Sequence, residues 1–345
     1  MNNESLSRQR KNTIETILAQ IPKHSLAQFP TLLQPAEKLS EYMSGPELWF
    51  KRDDLISFGF GGNKIRGLEV MLADALEQGA DTLITGAGVQ SNHVRATAAT
   101  AAYAKMHCIA VYWGHQPSQI DGNYRITKLL NAEVRFTAST DRTSVDSMIN
   151  EVAEEQRLKG FSPYAIPRGG ACARGVLGHV AAVFEMYQQC LELSLEPDAI
   201  VLPIGSGGTY AGWIIGIRLL ELPWKLECVS VSREPEEISY QVAKLATEAA
   251  KLLGLDWQFG ASDVPVQGGF IGEGYGIPSA EGVDAIKLVS RKEGVLLDPT
   301  YTGKAMAGLI HGIKQGKFDH YKRVIFIHTG GEPAFFSGDS TWLDI

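Results

Sequence analysis

The sequence predicts an α/β protein of two lobes, each a parallel sheet covered by helices. Three observations carry that expectation. The 345 residues exceed the usual size of a single domain. Short runs rich in Val, Ile and Leu alternate with segments of helical period, the pattern of parallel strands buried on both faces. The joints between them are glycine-rich: 20 of the 36 glycines fall in the segments 59–62, 86–88, 169–178, 205–212, 268–276 and 330–331.

Taken in order, residues 1–45 are polar and hold Pro22, Pro30 and Pro35, which predicts a short helix and then an extended arm outside the core. Leu48-Trp49-Phe50 reads as a strand, and 57–62 as a loop. Ile65, Leu68, Leu72, Ala75 and Leu76 then recur at helical spacing up to Gly79. Asp81–Thr85 is a strand, GAGVQSN a loop, Val94–Met106 an alanine-rich helix and Cys108–Trp113 a further strand. The second half repeats the alternation. Ala199–Leu202 is a strand, GSGGT a loop, Tyr210–Leu222 a helix, and Glu227–Val231 and Val324–His328 are strands.

Composition narrows the function classes. Hydrophobic residues make up 44% and charged residues 21%, as in ordinary globular proteins. The net charge of −7 argues against a nucleic-acid partner, whose phosphates require basic surface. The polar start MNNESLSRQRKN has no apolar run behind it, so a cytoplasmic protein with no membrane partner is expected. The uncharged stretch Ala199–Ile217 is as long as a bilayer span, but Pro203 and the glycine loop break it into strand, loop and buried helix. Cys108, Cys172, Cys190 and Cys228 show no CxxC pair, and the eight histidines show no triad or metal spacing, so no metal is expected.

Neither 86–91, which ends in Ser91, nor 205–210, which ends in Tyr210, completes GxGxxG, and no GK pair is followed by Ser or Thr. What remains is two strand–loop–helix units presenting free backbone N–H groups at helix N-termini, each an anion cradle or a capped structural turn. Ser206 and Thr209 add hydroxyl donors to GSGGT, as a phosphate ester requires. Lys64 lies in the first turn of a predicted helix, where a cation opposes the helix dipole. It is either an exposed lysine or one placed to form a Schiff base with a phosphorylated aldehyde.

The ordered set FGGNK (60–64), QSNHVR (90–95), GSGGTYAG (205–212), GEGYGIP (272–278), LDPTYTGKAMAG (297–308) and HTGG (328–331) resembles the D-cysteine desulfhydrase and 1-aminocyclopropane-1-carboxylate deaminase family. That family belongs to the tryptophan-synthase-β-like, fold type II pyridoxal-phosphate enzymes. The resemblance runs from about Phe29 to Gly331. It implies pyridoxal 5'-phosphate as cofactor, Lys64 as the Schiff-base lysine, and Gly205, Ser206, Gly207, Gly208 and Thr209 as the phosphate cup. It further implies that Asn63 and Asn92 approach the cofactor, that Thr329 partners its ring nitrogen, and that Ser91, Asn92 and His93 hold the substrate carboxylate. Ser91, Tyr275 and Tyr301 join Lys64 as catalytic residues, and both tyrosines face the substrate.

The implied reaction is β-elimination from a small amino acid, D-cysteine first. Alternatives are cysteate, β-chloroalanine, diaminopropionate, serine or 1-aminocyclopropane-1-carboxylate and, in another class, a non-catalytic protein that binds a phosphorylated ligand. A homodimer is implied as well. The pattern departs from the family at four places. Thr302 stands where the deaminases have Glu, and Gly67 replaces a lysine, which removes a possible phosphate contact. Arg168 precedes Gly169-Gly170, where it reads a second anionic group or forms a surface ion pair. His179 stands where Tyr or Phe is common. The resemblance places the large cofactor lobe at 1–65 and 173–345, with 66–172 inserted as the smaller lobe.

Overall fold

The computed structural model describes residue 12 and residues 14–338. Residues 14–19 are helical (α1) and lead to β1 (Leu33–Pro35), α2 (Glu37–Met43) and β2 (Glu47–Arg52). Here the expected arm outside the core is corrected: β1 pairs antiparallel with β2, and Leu33 and Leu39 are buried. An edge strand and a surface helix each need only one inward apolar residue, so a polar composition hid both.

The chain continues through α3 (Lys64–Glu77), β3 (Thr82–Ala87), α4 (Asn92–Ala104), β4 (His107–Tyr112), α5 (Gly122–Leu129), β5 (Glu133–Phe136), α6 (Ser144–Leu158), β6 (Pro163–Ala165) and α7 (Ala173–Glu192). It then forms β7 (Ala199–Val201), β8 (Pro203–Ile204), α8 (Gly208–Leu219), β9 (Lys225–Leu226), β10 (Cys228–Ser230), α9 (Pro235–Leu252), β11 (Val266–Gln267), α10 (Ala280–Glu293), α11 (Thr302–Lys314) and β12 (Arg323–His328).

One sheet has the order β1-β2-β12-β7-β9 and is parallel beyond β1. A parallel sheet β11-β10-β8 extends it, because Glu227 N donates to Ile200 O at 2.9 Å and Val229 N to Leu202 O at 3.1 Å. A separate parallel sheet, β5-β4-β3-β6, comes wholly from the segment 82–165. Strand alternation sorts the core. Ile325 and Ile327 pack with Val180, Ile215 and Val242 of α7, α8 and α9, while Val324 and Phe326 pack with Ile286 and Leu309 of α10 and α11. In the smaller sheet Leu83, Ala110 and Tyr112 face α4, and Ile84, Ile109 and Val111 face α6. Among the described residues no helix is long and apolar enough to cross a membrane.

Helix α3 joins the two parts. It packs on α7 with almost no space between backbones: a Cβ on Gly67 would lie 2.8 Å from Gly175 O, and one on Gly178 1.9 Å from Arg66 O. The glycine at 67, read from sequence as a lost phosphate contact, is therefore required by the helix crossing. With α3 fixed in this way, the loops at the carboxyl ends of both sheets converge on one cleft, the usual ligand position in open α/β sheets.

Candidate active site

The cleft encloses about 870 Å³, including space open to solvent, within the ~300–1,000 Å³ range of small-molecule sites. Lys64 is the first residue of α3 and lines it. Its Nζ donates to Gly169 O at 3.2 Å, and burial pushes the amine down to about 8. Behind it, Asn63 N donates to Thr329 O at 3.0 Å and Asn63 Nδ2 to Thr209 Oγ1 at 2.8 Å, which ties the lysine turn to β12 and to the GSGGT loop.

The GSGGT loop leaves β8 and turns into α8 at Gly207, whose φ of 91° suits glycine. Gly205, Ser206, Gly207 and Thr209 line the cleft, and Gly208 between them is the first residue of the helix. The helix thus begins two residues earlier than its apolar pattern suggested. Gly205 O is occupied from behind by Arg233 Nη1 at 2.9 Å and Ser232 Oγ at 3.2 Å, leaving the loop's N–H groups as donors toward the cleft. His179 is buried with Nε2 3.5 Å from Thr209 Oγ1 and Nδ1 without a partner, and burial pushes its pKa down to about 3.

On the opposite wall Ser91 caps α4, its Oγ accepting from Val94 N at 3.3 Å with its own hydrogen left to donate. Asn92 Oδ1 accepts from Asn123 Nδ2 at 3.0 Å, so its amide nitrogen is the group left for the cleft. His93 also lines the cleft, but its Nε2 is held by Thr85 Oγ1 at 3.1 Å and Thr97 Oγ1 at 3.4 Å. Burial and then the nearby Lys64 charge depress its pKa to about 3, so the ring is neutral.

Tyr275 and Tyr301 meet hydroxyl to hydroxyl, with ring centroids 5.8 Å apart. Burial pushes both phenols above their usual range, Tyr301 the further. Three residues that sequence reasoning missed hold this pair. Asp298 Oδ2 accepts from Thr300 N at 2.8 Å and Tyr301 N at 2.9 Å. Lys304 Nζ donates to Ile271 O at 2.6 Å and Gly274 O at 2.9 Å, pinning the loop that carries Tyr275. Arg142 lies over the Tyr275 ring, 4.8 Å from its centroid. Thr302 Oγ1 donates to Asp298 Oδ1 at 2.8 Å and is fully buried, so this departure from the deaminase pattern turns away from the cleft. Thr329 lines the cleft at the end of β12.

Arg168 forms the ion pair that was one of its two expected roles, with Asp146 at 3.0 Å, and it also lines the cleft. Arg142 and Arg233 line it too, and no carboxylate does among the described residues. Each follows the carboxyl end of a strand, a positional signal that could have found them. Folding also brings the ligand atoms of Asp54, His328 and Glu332 within 4.8 Å of one another, which no local spacing announced. Protein groups engage this cluster: Arg52 Nε donates to Asp54 at 2.9 Å, and His328 Nε2 meets Leu296 O at 2.8 Å.

These residues fit pyridoxal phosphate. A neutralisable lysine, a helix N-terminus with hydroxyl donors and a cationic cleft suit an aldehyde that carries a phosphate dianion. His179 stands behind the cup, with Nε2 rather than the orphaned Nδ1 toward Thr209.

Comparison with known proteins agrees. The chain is 40% identical over 325 residues to a D-cysteine desulfhydrase of Salmonella choleraesuis (strain SC-B67), covering 93% of this chain and 97% of the relative. A crystal structure of an ACC deaminase homologue superposes with TM-score 0.88 at 34% identity, over 96% of this chain and 98% of the other. An L-serine ammonia-lyase from Rhizomucor miehei shares the fold at TM-score 0.67 and 18% identity, over 93% and 98% of the two chains. The two-lobed α/β architecture is the fold type II one. The model of the family described as pyridoxal-phosphate dependent enzymes matches residues 24–330, and the chain belongs to that family.

Proposed function

We propose that the protein catalyses β-elimination from D-cysteine, with water, to give pyruvate, hydrogen sulfide and ammonia. The observation that carries this reading is Lys64, an amine whose pKa burial lowers to about 8 and which shares one cleft with the GSGGT helix N-terminus and the Tyr275–Tyr301 pair. The 40% identity to a D-cysteine desulfhydrase supports the choice of substrate.

Bound pyridoxal phosphate supplies the sink for the electron pair left at Cα. Gly205, Ser206, Gly207, Gly208 and Thr209 hold its phosphate through N–H and hydroxyl donors. Asn63 fixes Thr209, Asn92 would donate to the ring hydroxyl, and Thr329 would serve the ring nitrogen. Ser91 and the N-terminus of α4 receive the substrate carboxylate, with the neutral His93 ring as wall. Lys64 takes the Cα proton, and the Tyr275–Tyr301 pair donates to the departing sulfur. Thr302, engaged by Asp298, offers nothing to a ring-opening reaction of 1-aminocyclopropane-1-carboxylate. The same reading takes 66–172 as an inserted smaller lobe, supported by the separate sheet from 82–165, and takes the enzyme as a cytoplasmic homodimer, for which sedimentation at twice the chain mass is the check.

Purified protein should be yellow, with a visible band that borohydride bleaches. Lys64→Ala should lose the covalent cofactor and about 10³-fold or more in turnover. Full activity in that variant would sink the mechanism, and a colourless protein that pyridoxal phosphate does not reconstitute would favour a non-catalytic binding protein.

A further inference from the structure

The cleft has three ends, and two are accounted for. The GSGGT loop with Arg233 behind it suits a phosphate, and Ser91 with Asn92 at the start of α4 suits a carboxylate. The third wall is Trp113, Arg142, Tyr275 and Tyr301. Arg142 comes from the β5–α6 connection, and its guanidinium lies 4.8 Å from the Tyr275 ring centroid and 5.8 Å from that of Trp113. Arg168 is neutralised by Asp146 and Arg233 by Glu237, each at 3.0 Å. Arg142 has no carboxylate partner among the described residues, although it is half-buried and faces a cleft without acids. Stacking on two aromatic rings holds the cation without cancelling its charge.

We propose that Arg142 is a specificity-determining residue that selects β-substituents that carry negative charge or leave as basic anions, such as a sulfonate or a thiol. The inference rests on the β-elimination reading. In the elimination the Cα–H bond breaks, its proton passes to Lys64, and its electron pair becomes the Cα=Cβ bond. The Cβ–S bond breaks with its pair on sulfur, which leaves as hydrosulfide. A guanidinium beside that sulfur stabilises the charge as it forms, and the same cation draws the Tyr275 and Tyr301 phenols toward proton donation. Chloride is a far weaker base and departs without such help.

The test compares D-cysteine with β-chloro-D-alanine on the cofactor-loaded enzyme. Arg142→Gln should lose about 10²-fold in kcat/KM on D-cysteine and less than about threefold on β-chloro-D-alanine, and Arg142→Lys should recover most of the D-cysteine loss. Equal losses on both substrates would reduce Arg142 to packing for Trp113 and Tyr275, and an unchanged D-cysteine rate would remove it from the reaction; either overturns the inference alone. Wild-type enzyme that releases pyruvate from neither compound overturns the β-elimination reading, and the inference with it.

Discussion

Lys64 and Arg66 are two residues apart on α3, yet they meet opposite electrostatic surroundings. Arg66 enters a buried network in which Nη2 donates to Asp53 at 2.7 Å and to Glu185 at 3.0 Å, while Lys51 pairs with Glu185 and donates to Thr31 O at 2.8 Å. Two cations face two anions there, and every group is paired. Burial alone would raise the Asp53 pKa, but the Arg66 guanidinium holds it below the usual carboxylate range. Lys64 enters a cleft with Arg142, Arg168 and Arg233 and no acid among the described residues. Burial lowers the Arg233 pKa, and Arg168 and Arg142 add like-charge repulsion that the half-exposed Glu237 and Asp146 offset only in part, so Lys64 and Arg142 keep charge that the chain leaves for a ligand to neutralise. Matched charges hold α3 in place; unmatched charges wait for anions.

That contrast is breakable. Arg66→Met strands Asp53 in the interior, leaves Glu185 with Lys51 as its one remaining cation, and should cost about 3–5 kcal/mol of stability, read as a shift of the urea midpoint. A loss below about 1 kcal/mol would mean that the network contributes nothing. Anions should act on the cleft instead. Pyridoxal phosphate at about a hundred times its Kd should stabilise the apoprotein by about 2.7 kcal/mol, inorganic sulfate by less, and neither effect should depend on an intact Arg66 network. Equal stabilisation by sodium chloride at the same ionic strength would reduce the effect to screening. The smallest effect concerns protons. Because burial disfavours the ammonium form, the neutral Lys64 amine accumulates as pH rises through about 8, and the rate of cofactor uptake should rise and level off there. A midpoint near that of a free lysine would contradict the enclosed position of the amine.

The same two regions show what a sequence can reveal. The strand–helix alternation was legible because buried parallel strands write their period locally, and Lys64, Ser91 and GSGGT were legible because each sits beside a glycine turn at a helix start. The Arg66 network was not, because its partners Asp53 and Glu185 lie 13 and 119 positions away and only the fold makes them neighbours. Arg142 meets Tyr275 only because loops of two different sheets converge. Gly67 was legible as a departure but misread, since its reason lies in the backbone of α7.

The origin of the cleft walls also bears on how such an enzyme can be altered. Ser91, Asn92, Trp113, Arg142 and Arg168 are all carried by loops of the β5-β4-β3-β6 sheet, whereas Lys64, the GSGGT loop, Arg233 and Thr329 are not. On the roles proposed above, the parts that recognise an amino acid are encoded mainly in one contiguous stretch, and the parts that retain the cofactor, Asn92 apart, lie outside it. Exchanging the β4–α5 and β5–α6 connections is then a route to new substrates that leaves the phosphate cup and the lysine untouched. Gene segments, rather than scattered codons, become the natural unit of recombination for this architecture.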